Sequence, residues 1–288
     1  MDRYHDQAPR TSSFTEFLAA SKPELLPRSL GQADLTAATA ADGPGARTGL
    51  ELEHGTTIVA LTFADGVILA GDRRATLENM ISKRDVRKVF RADDFSAIGA
   101  AGVWSIAVEL IRLFQVELEH YEKMESRQLS LIGKANRLAA LIRGNLAVAM
   151  QGLVVVPLFA GYDEDTGTGR IFSYDPAGGP TEEQRYSAVG SGSIFAQSAL
   201  KKLYVDNMPL GDAVLACVQA LYDAADDDSA TGGPDLARAI FPVIATVTAD
   251  GFAWVTDEEA AGYARTVVED RFLSPDGPKA FPGAGAPR

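Results

Sequence analysis

The sequence predicts an α+β fold, a four-layer αββα sandwich in which two antiparallel sheets stack face to face between helix pairs. The order of elements is the first observation behind this: strands, two helices, strands, two helices, strands and a helix, in runs rather than strict alternation. The second is a change of hydrophobic spacing at Val103, from strand-like runs to every third or fourth residue, reversed near Leu153. The third is that residues 67–71 are apolar throughout, so that this strand needs cover on both faces.

Residues 1–55 are rich in Ala, Gly, Pro, Ser and Thr and lack apolar periodicity, and 37–49 are nearly low-complexity. This composition predicts a flexible leader, and its abrupt end at a strand suits a removable segment. A strand follows at 57–63, then a hairpin turn with Asp65-Gly66, then the apolar strand 67–71. Residues 72–76 leave the sheet, and 87–90 and 95–98 read as two more strands of an antiparallel meander. Val103, Ile106, Ala107, Leu110, Ile111, Phe114 and Leu118 mark one face of an amphipathic helix. A second helix, begun after Leu129, carries Ile132, Ala135, Leu138, Ala139, Ile142, Leu146 and Ala149. Strands return at 153–162, 170–174 and 186–189, helices at 194–205 and 211–225, strands at 241–248 and 252–255, and a helix at 258–270. The Pro/Gly-rich residues 274–288 read as a disordered tail, which leaves 56–273 as one domain.

Composition bounds the function. Of 288 residues 46% are hydrophobic, enough for a sizeable core, and a net charge of −12 argues against nucleic acid or an anionic membrane as partner. The polar start at 1–6 has no apolar stretch after it, so no secretory signal is expected. Residues 146–162, the most apolar stretch, are broken by Gln151 and Pro157, too short to span a membrane, and read as buried core. The single cysteine, Cys217, sits among Ala213, Val214, Ala216 and Leu221 at helical spacing and reads as a buried apolar residue. Without a disulfide framework, a reducing cytoplasm fits.

The chemistry centres on His54-Gly55-Thr56-Thr57, where the polar leader meets the first strand. A cut between Gly55 and Thr56 would give one threonine both a hydroxyl and a free amine, making nucleophile and base one residue. An α-amino group titrates near ~7.7–8.0, so an appreciable fraction is unprotonated at neutral pH and can accept the hydroxyl proton. Such a nucleophile needs charges that tune the base and donors for the oxyanion. Asp72 stands where the second strand stops and Lys88 about one hairpin later. An ammonium held there would lower the amine's proton affinity, and the carboxylate would keep the lysine charged. Residues 99–102 are expected between a strand and a helix start, where Gly102 could offer a backbone N–H to a substrate carbonyl.

Gly190-Ser191-Gly192-Ser193 lies at another strand-to-helix junction but lacks both the G-x-G-x-x-G spacing and a P-loop lysine. Nucleotide binding is therefore rejected, and Ser191 is free to bond the threonine amine. In the run 226–233, Asp228 and Thr231 suffice to orient a threonine, and the spacing is not that of an EF-hand. His5, His54 and His120 are too scattered for a zinc site or a Ser-His-Asp triad.

Together G-T-T-I-V-A-L, G-D-R-R-A-T, R-D-V-R-K-V, G-S-G-S and D-D-D-S-A-T-G-G, in this order from Thr56 to about Arg271, resemble the proteasome β-subunits of the prokaryotic type. The resemblance implies the N-terminal nucleophile hydrolase fold and a threonine endopeptidase cleaved autocatalytically between Gly55 and Thr56. Thr56 would be nucleophile and base, Asp72 and Lys88 its charge partners, Ser191, Asp228 and Thr231 its orienting groups, and Gly102 the oxyanion donor. The family usually has serine where this chain has Thr231, which keeps the hydroxyl. Ala75, Thr76, Val86, Phe90, Ala100 and Trp104 would line the specificity pocket, whose small apolar walls suggest cleavage after hydrophobic residues.

Also implied are α7β7β7α7 assembly with α-subunits and other β-subunits, an ATPase-ring activator, and unfolded or modifier-tagged protein substrates in the cytoplasm. No cofactor or metal is implied. A two-component heat-shock peptidase of six-membered rings also begins T-T, but the long leader and D-R-R-A-T count against it. An unprocessed structural β-subunit would not need Gly55-Thr56 together with Asp72 and Lys88.

Overall fold

The computed structural model describes residues 55–77 and 80–278; the leader up to residue 54 and the tail from 279 lie outside the described residues. β1 (Thr57–Phe63) and β2 (Gly66–Gly71) form the expected hairpin, apolar because both faces are covered. Val59, Leu61, Ile68 and Ala70 join one core, while Ile58, Ala60, Val67 and Leu69 join another, as the alternation of side chains along a strand requires. β10 (Tyr186–Gly190) flanks β1, β11 (Val243–Thr248) flanks β2, and β12 (Gly251–Trp254) completes a five-stranded antiparallel sheet in the order β10-β1-β2-β11-β12. The second five-stranded sheet runs in chain order: β5 (Val89–Asp93), β6 (Ser96–Gly102), β7 (Val155–Asp163), β8 (Thr168–Tyr174) and β9 (Pro180–Glu183).

The two sheets share an apolar layer that includes Ile58, Leu69, Val89, Leu158, Ile171 and Val243. Outside the second sheet lie α1 (Trp104–Glu125) and α2 (Leu131–Gly144), which cover Ile98, Phe159 and Phe172. Phe114 of α1 meets Phe159 edge-on at 5.6 Å, a geometry that stabilises by about 1 kcal/mol beyond the area it buries. Outside the first sheet lie α4 (Ser193–Leu203), α5 (Leu210–Asp227) and α6 (Asp257–Leu273), whose Leu200, Cys217 and Val267 pack on Leu61 and Ile68. The four-layer sandwich is as predicted, with three helices rather than a pair on this side. Cys217 is fully buried, and burial pushes its thiol well above the ordinary range.

Four departures have local causes. Residues 99–102 are not a loop but the end of β6, paired with β7 as far as Gly102 against Val155, and α1 follows directly. A small two-stranded sheet of β3 (Ala75–Leu77) and β4 (Met80–Lys83) was not predicted, because all of β4 is exposed and shows no alternation of burial. The polar edge strand β9, opening on Pro180, was hidden for the same reason. The second long helix breaks at Asn145, after which α3 (Leu146–Ala149) carries no buried residue and Met150 is 81% exposed. Burial along 146–162 therefore begins only at Val155. Residues 274–278 turn back on α6, with Arg271 Nη1 donating to Pro275 O at 3.1 Å.

Candidate active site

The end of β1 and β2 opposite their hairpin brings Gly55, Thr56, Asp72 and Lys88 together. Lys88, one residue before β5, is 1% exposed, and its ammonium donates to three oxygens: Asp72 Oδ1 at 2.8 Å, Gly55 O at 2.8 Å and Arg74 O. Burial pulls the proton affinity of Lys88 below that of an ordinary lysine, and the charge and hydrogen bond of Asp72 oppose this. The three acceptors match the three protons of an ammonium, so the group is a charged donor held in a site that disfavours charge.

Asp72 is fixed by the backbone on every side. Its Oδ1 also accepts from Thr57 N at 2.8 Å, and its Oδ2 accepts from Arg74 N at 2.8 Å and Gly232 N at 2.9 Å. Arg74 in turn donates from Nη1 to Ser229 O at 3.1 Å and Thr231 O at 3.0 Å, tying the loop after α5 to the strand end. Thr56 is 5% exposed, and its hydroxyl donates to the Gly55 carbonyl at 2.6 Å. That carbonyl therefore receives both the Thr56 hydroxyl and the Lys88 ammonium. Gly55 has φ of +99°, and a Cβ there would sit 2.5 Å from Thr76 Oγ1, so the position is closed to any other residue without rearrangement.

Ser191 does not meet the Thr56 nitrogen, which here is an amide. Its own N–H donates to Thr56 O at 2.9 Å, and its hydroxyl donates to Asp228 Oδ2 at 2.6 Å and lies 3.4 Å from Thr56 O. Thr231 bonds Asp228 Oδ2 at 2.5 Å and reaches Thr57 rather than Thr56, with the two hydroxyls 2.6 Å apart. Partial burial would raise the Asp228 pKa, but hydrogen bonds from Ser191, Thr231 and Ala230 N–H outweigh it and hold the carboxyl below the ordinary range. Gly102 ends β6, beside the strand whose flanking Lys88 O accepts from Ala100 N at 3.4 Å.

Val86, Phe90 and Trp104 share a cavity of about 440 Å³, with Phe90 and Trp104 ring centroids 6.2 Å apart. Its walls are not only apolar, because Asp85, Arg87 and Arg112 also line it. Ala75, Thr76 and Ala100 are not among its lining residues and are each buried at their own strands. Among the described residues no cluster of His, Cys, Asp and Glu could hold a metal ion. Thr57, Arg74, Gly192 and Gly232 are the site residues that sequence reasoning missed. Thr57 reads as an ordinary strand residue, and only its place beside Thr56 in a T-T pair could have flagged it.

A four-layer αββα sandwich with a threonine at the head of its first strand, above a buried lysine–aspartate pair, defines the N-terminal nucleophile hydrolase class. A family model described as Proteasome subunit matches residues 52–236. A protein of Streptosporangium roseum described as Proteasome subunit beta is 58% identical over 269 residues, covering 93% of this chain and 92% of its own length. Proteins of the same description from Streptomyces griseus and Frankia casuarinae are 57% and 54% identical, over 94% and 93% of this chain and 93% and 94% of their own lengths. The chain belongs to the proteasome subunit family and is a β-subunit of its bacterial type. It is therefore part of a multi-subunit protease. Among the described residues no helix is long and apolar enough to cross a membrane.

Proposed function

We propose that this β-subunit is a threonine-type endopeptidase that removes its own leader between Gly55 and Thr56. It then works in the cytoplasm within an α7β7β7α7 particle, fed by an ATPase ring, on unfolded or modifier-tagged proteins. The observation that carries the reading is the bridge made by Lys88 Nζ, 2.8 Å from both the Gly55 carbonyl oxygen and Asp72 Oδ1. In leader removal the Thr56 hydroxyl oxygen adds to the Gly55 carbonyl carbon, and the Lys88 ammonium stabilises the charge that develops on the Gly55 oxygen. The C–N bond breaks, the hydroxyl proton ends on the Thr56 nitrogen, and water hydrolyses the resulting ester. The leader leaves as a carboxylate and Thr56 gains a free amine.

That amine then takes the hydroxyl proton while the Thr56 oxygen attacks a substrate carbonyl. Lys88 disfavours a second positive charge beside it, which keeps the amine unprotonated, and Asp72 anchors Lys88. Gly102 N–H receives the substrate oxyanion, and water releases the acyl-enzyme. Intact-mass measurement and N-terminal sequencing of the assembled particle test this. The chain should begin at Thr56, Thr56→Ala should keep its leader and lack peptidase activity, and Lys88→Ala should do nearly the same. Normal processing of either variant would refute the assigned roles.

A further inference from the structure

We propose that the Thr57 hydroxyl is a positioning group for Thr56, the first hydroxyl in a one-way hydrogen-bond chain that ends on Asp228. The proposal rests on the reading of Thr56 as nucleophile and deepens it. Each hydroxyl has one proton to give, and a carboxylate can only accept. Thr231 lies 2.5 Å from Asp228 Oδ2 and gives its proton there. The proton in the 2.6 Å contact between Thr57 and Thr231 therefore belongs to Thr57. Thr57 Oγ1 in turn accepts from Gly192 N at 3.0 Å. The polarity is fixed along the whole chain: Gly192 N–H to Thr57, Thr57 to Thr231, Thr231 to Asp228, with Ser191 donating to the same carboxylate oxygen. Such chains strengthen link by link where water is excluded, and Thr57 and Thr231 are both 0% exposed.

The consequence lies in the peptide plane between Thr56 and Thr57. Its carbonyl accepts from Ser191 N at 2.9 Å and its N–H donates to Asp72 Oδ1 at 2.8 Å. Before the cut Thr56 is tied to the chain on both sides. After the cut it is a terminal residue, and termini fray unless they are tied down. The remaining covalent hold on Thr56 is this rigid plane, and Thr57 fixes the plane's other end through a β-branched side chain with few rotamers. The space is built for that hydroxyl: a Cβ on Gly192 would come within 2.5 Å of Thr57 Oγ1 and 2.7 Å of Thr231 Oγ1.

The test is Thr57→Val in the full chain, assembled with its partner subunits, with peptidase turnover normalised to cleaved N-termini by intact mass. Valine keeps the shape and removes the chain's first hydroxyl. Turnover per cleaved terminus should fall roughly tenfold or more, the scale set by small misplacements of a reacting group. KM should stay within about twofold, and Thr57→Ser should recover most of the turnover. If Thr57→Val does not assemble, Thr231→Val breaks the same chain one link later and should show the same split between kcat and KM. When both singles assemble, the double variant should be no worse than the worse single, because both act through one chain. Wild-type turnover per cleaved terminus in Thr57→Val, or in Thr231→Val if it alone assembles, overturns the proposal. So does a loss that serine fails to rescue, or a drop in melting temperature alone. A Thr56→Ala particle that retains activity would instead overturn the underlying assignment of the nucleophile.

Discussion

Replacing Lys88 by methionine removes one charged nitrogen from a site where almost nothing else can change. The Lys88 and Asp72 side chains are 1% and 0% exposed, so the pair is shut off from bulk water. Breaking a buried pair by deleting one partner costs about 3–5 kcal/mol, most of it the penalty of a stranded charge. Asp72 is only partly stranded, because Thr57 N, Arg74 N and Gly232 N still donate to its two oxygens. That places the cost at the lower end, about 3 kcal/mol, and the similar volume of methionine avoids a cavity term. At about 2–4 °C per kcal/mol for a domain of this size, the melting temperature should drop by roughly 6–12 °C. The measurement belongs on the unassembled chain, since assembly adds a stabilisation that depends on protein concentration. After assembly the leader should remain attached. A drop below about 2 °C, under 1 kcal/mol on the same scale, would mean that Asp72 does not depend on Lys88 and would undo the electrostatic account of the site.

Asp228→Asn should destabilise the protein in a pH-dependent way. The folded pKa lies below the ordinary 3.8, so the carboxylate's stabilisation is fully present above that value and is lost as pH falls through the folded pKa. Denaturation curves of the two proteins should therefore differ at neutral pH and converge in strong acid; a constant gap would refute the hydrogen-bonded carboxylate. Gly192→Ala should slow turnover per cleaved terminus by roughly tenfold, because a Cβ there would come within 2.5 Å of Thr57 Oγ1. A panel of fluorogenic peptides should show preference for apolar residues before the cut, since Val86, Phe90 and Trp104 wall the cavity. A preference for acidic or basic residues would assign the dominant role to Arg112 or Asp85 instead.

The sandwich was legible because its strands are covered on both faces and its helices on one, so burial leaves a period in the sequence. Residues 57–63 and 67–71 could be read as strands to within a residue, and the alternation of Leu61 and Ala60 between two cores follows from the pleat. What burial does not pattern stayed hidden: the exposed β4, the polar β9, and the break at Asn145 that turns Met150 outward. The site divides in the same way. Asp72 could be found because a charge where an apolar strand stops stands out, and Lys88 because it lies about one hairpin further on, within reach of the same sheet end. Arg74 and Gly232 could not, because each acts in part through a backbone N–H on Asp72 Oδ2, and a main-chain donor leaves no mark on residue identity. Ser191 likewise holds Thr56 O chiefly through its own N–H.

That dependence on the main chain bears on how one site can serve two reactions. With the leader attached, the three protons of Lys88 are engaged by Gly55 O, Asp72 Oδ1 and Arg74 O. On the proposed reading, departure of Gly55 removes the first of these acceptors and leaves the other two in place. The N–H that pointed at Gly55 O is then freed, while the bonds to Asp72 and Arg74 hold Lys88 where it is. Asp72 has no reason to move either, since its four bonds come from Lys88 and from Thr57, Arg74 and Gly232 N–H groups, none of which belongs to the leader. On that reading the leader is the site's first substrate, bound through the Gly55 carbonyl that the cut turns into a carboxylate. A backbone-built site can tolerate that, because leader removal deletes one acceptor and no donor from the network around Asp72.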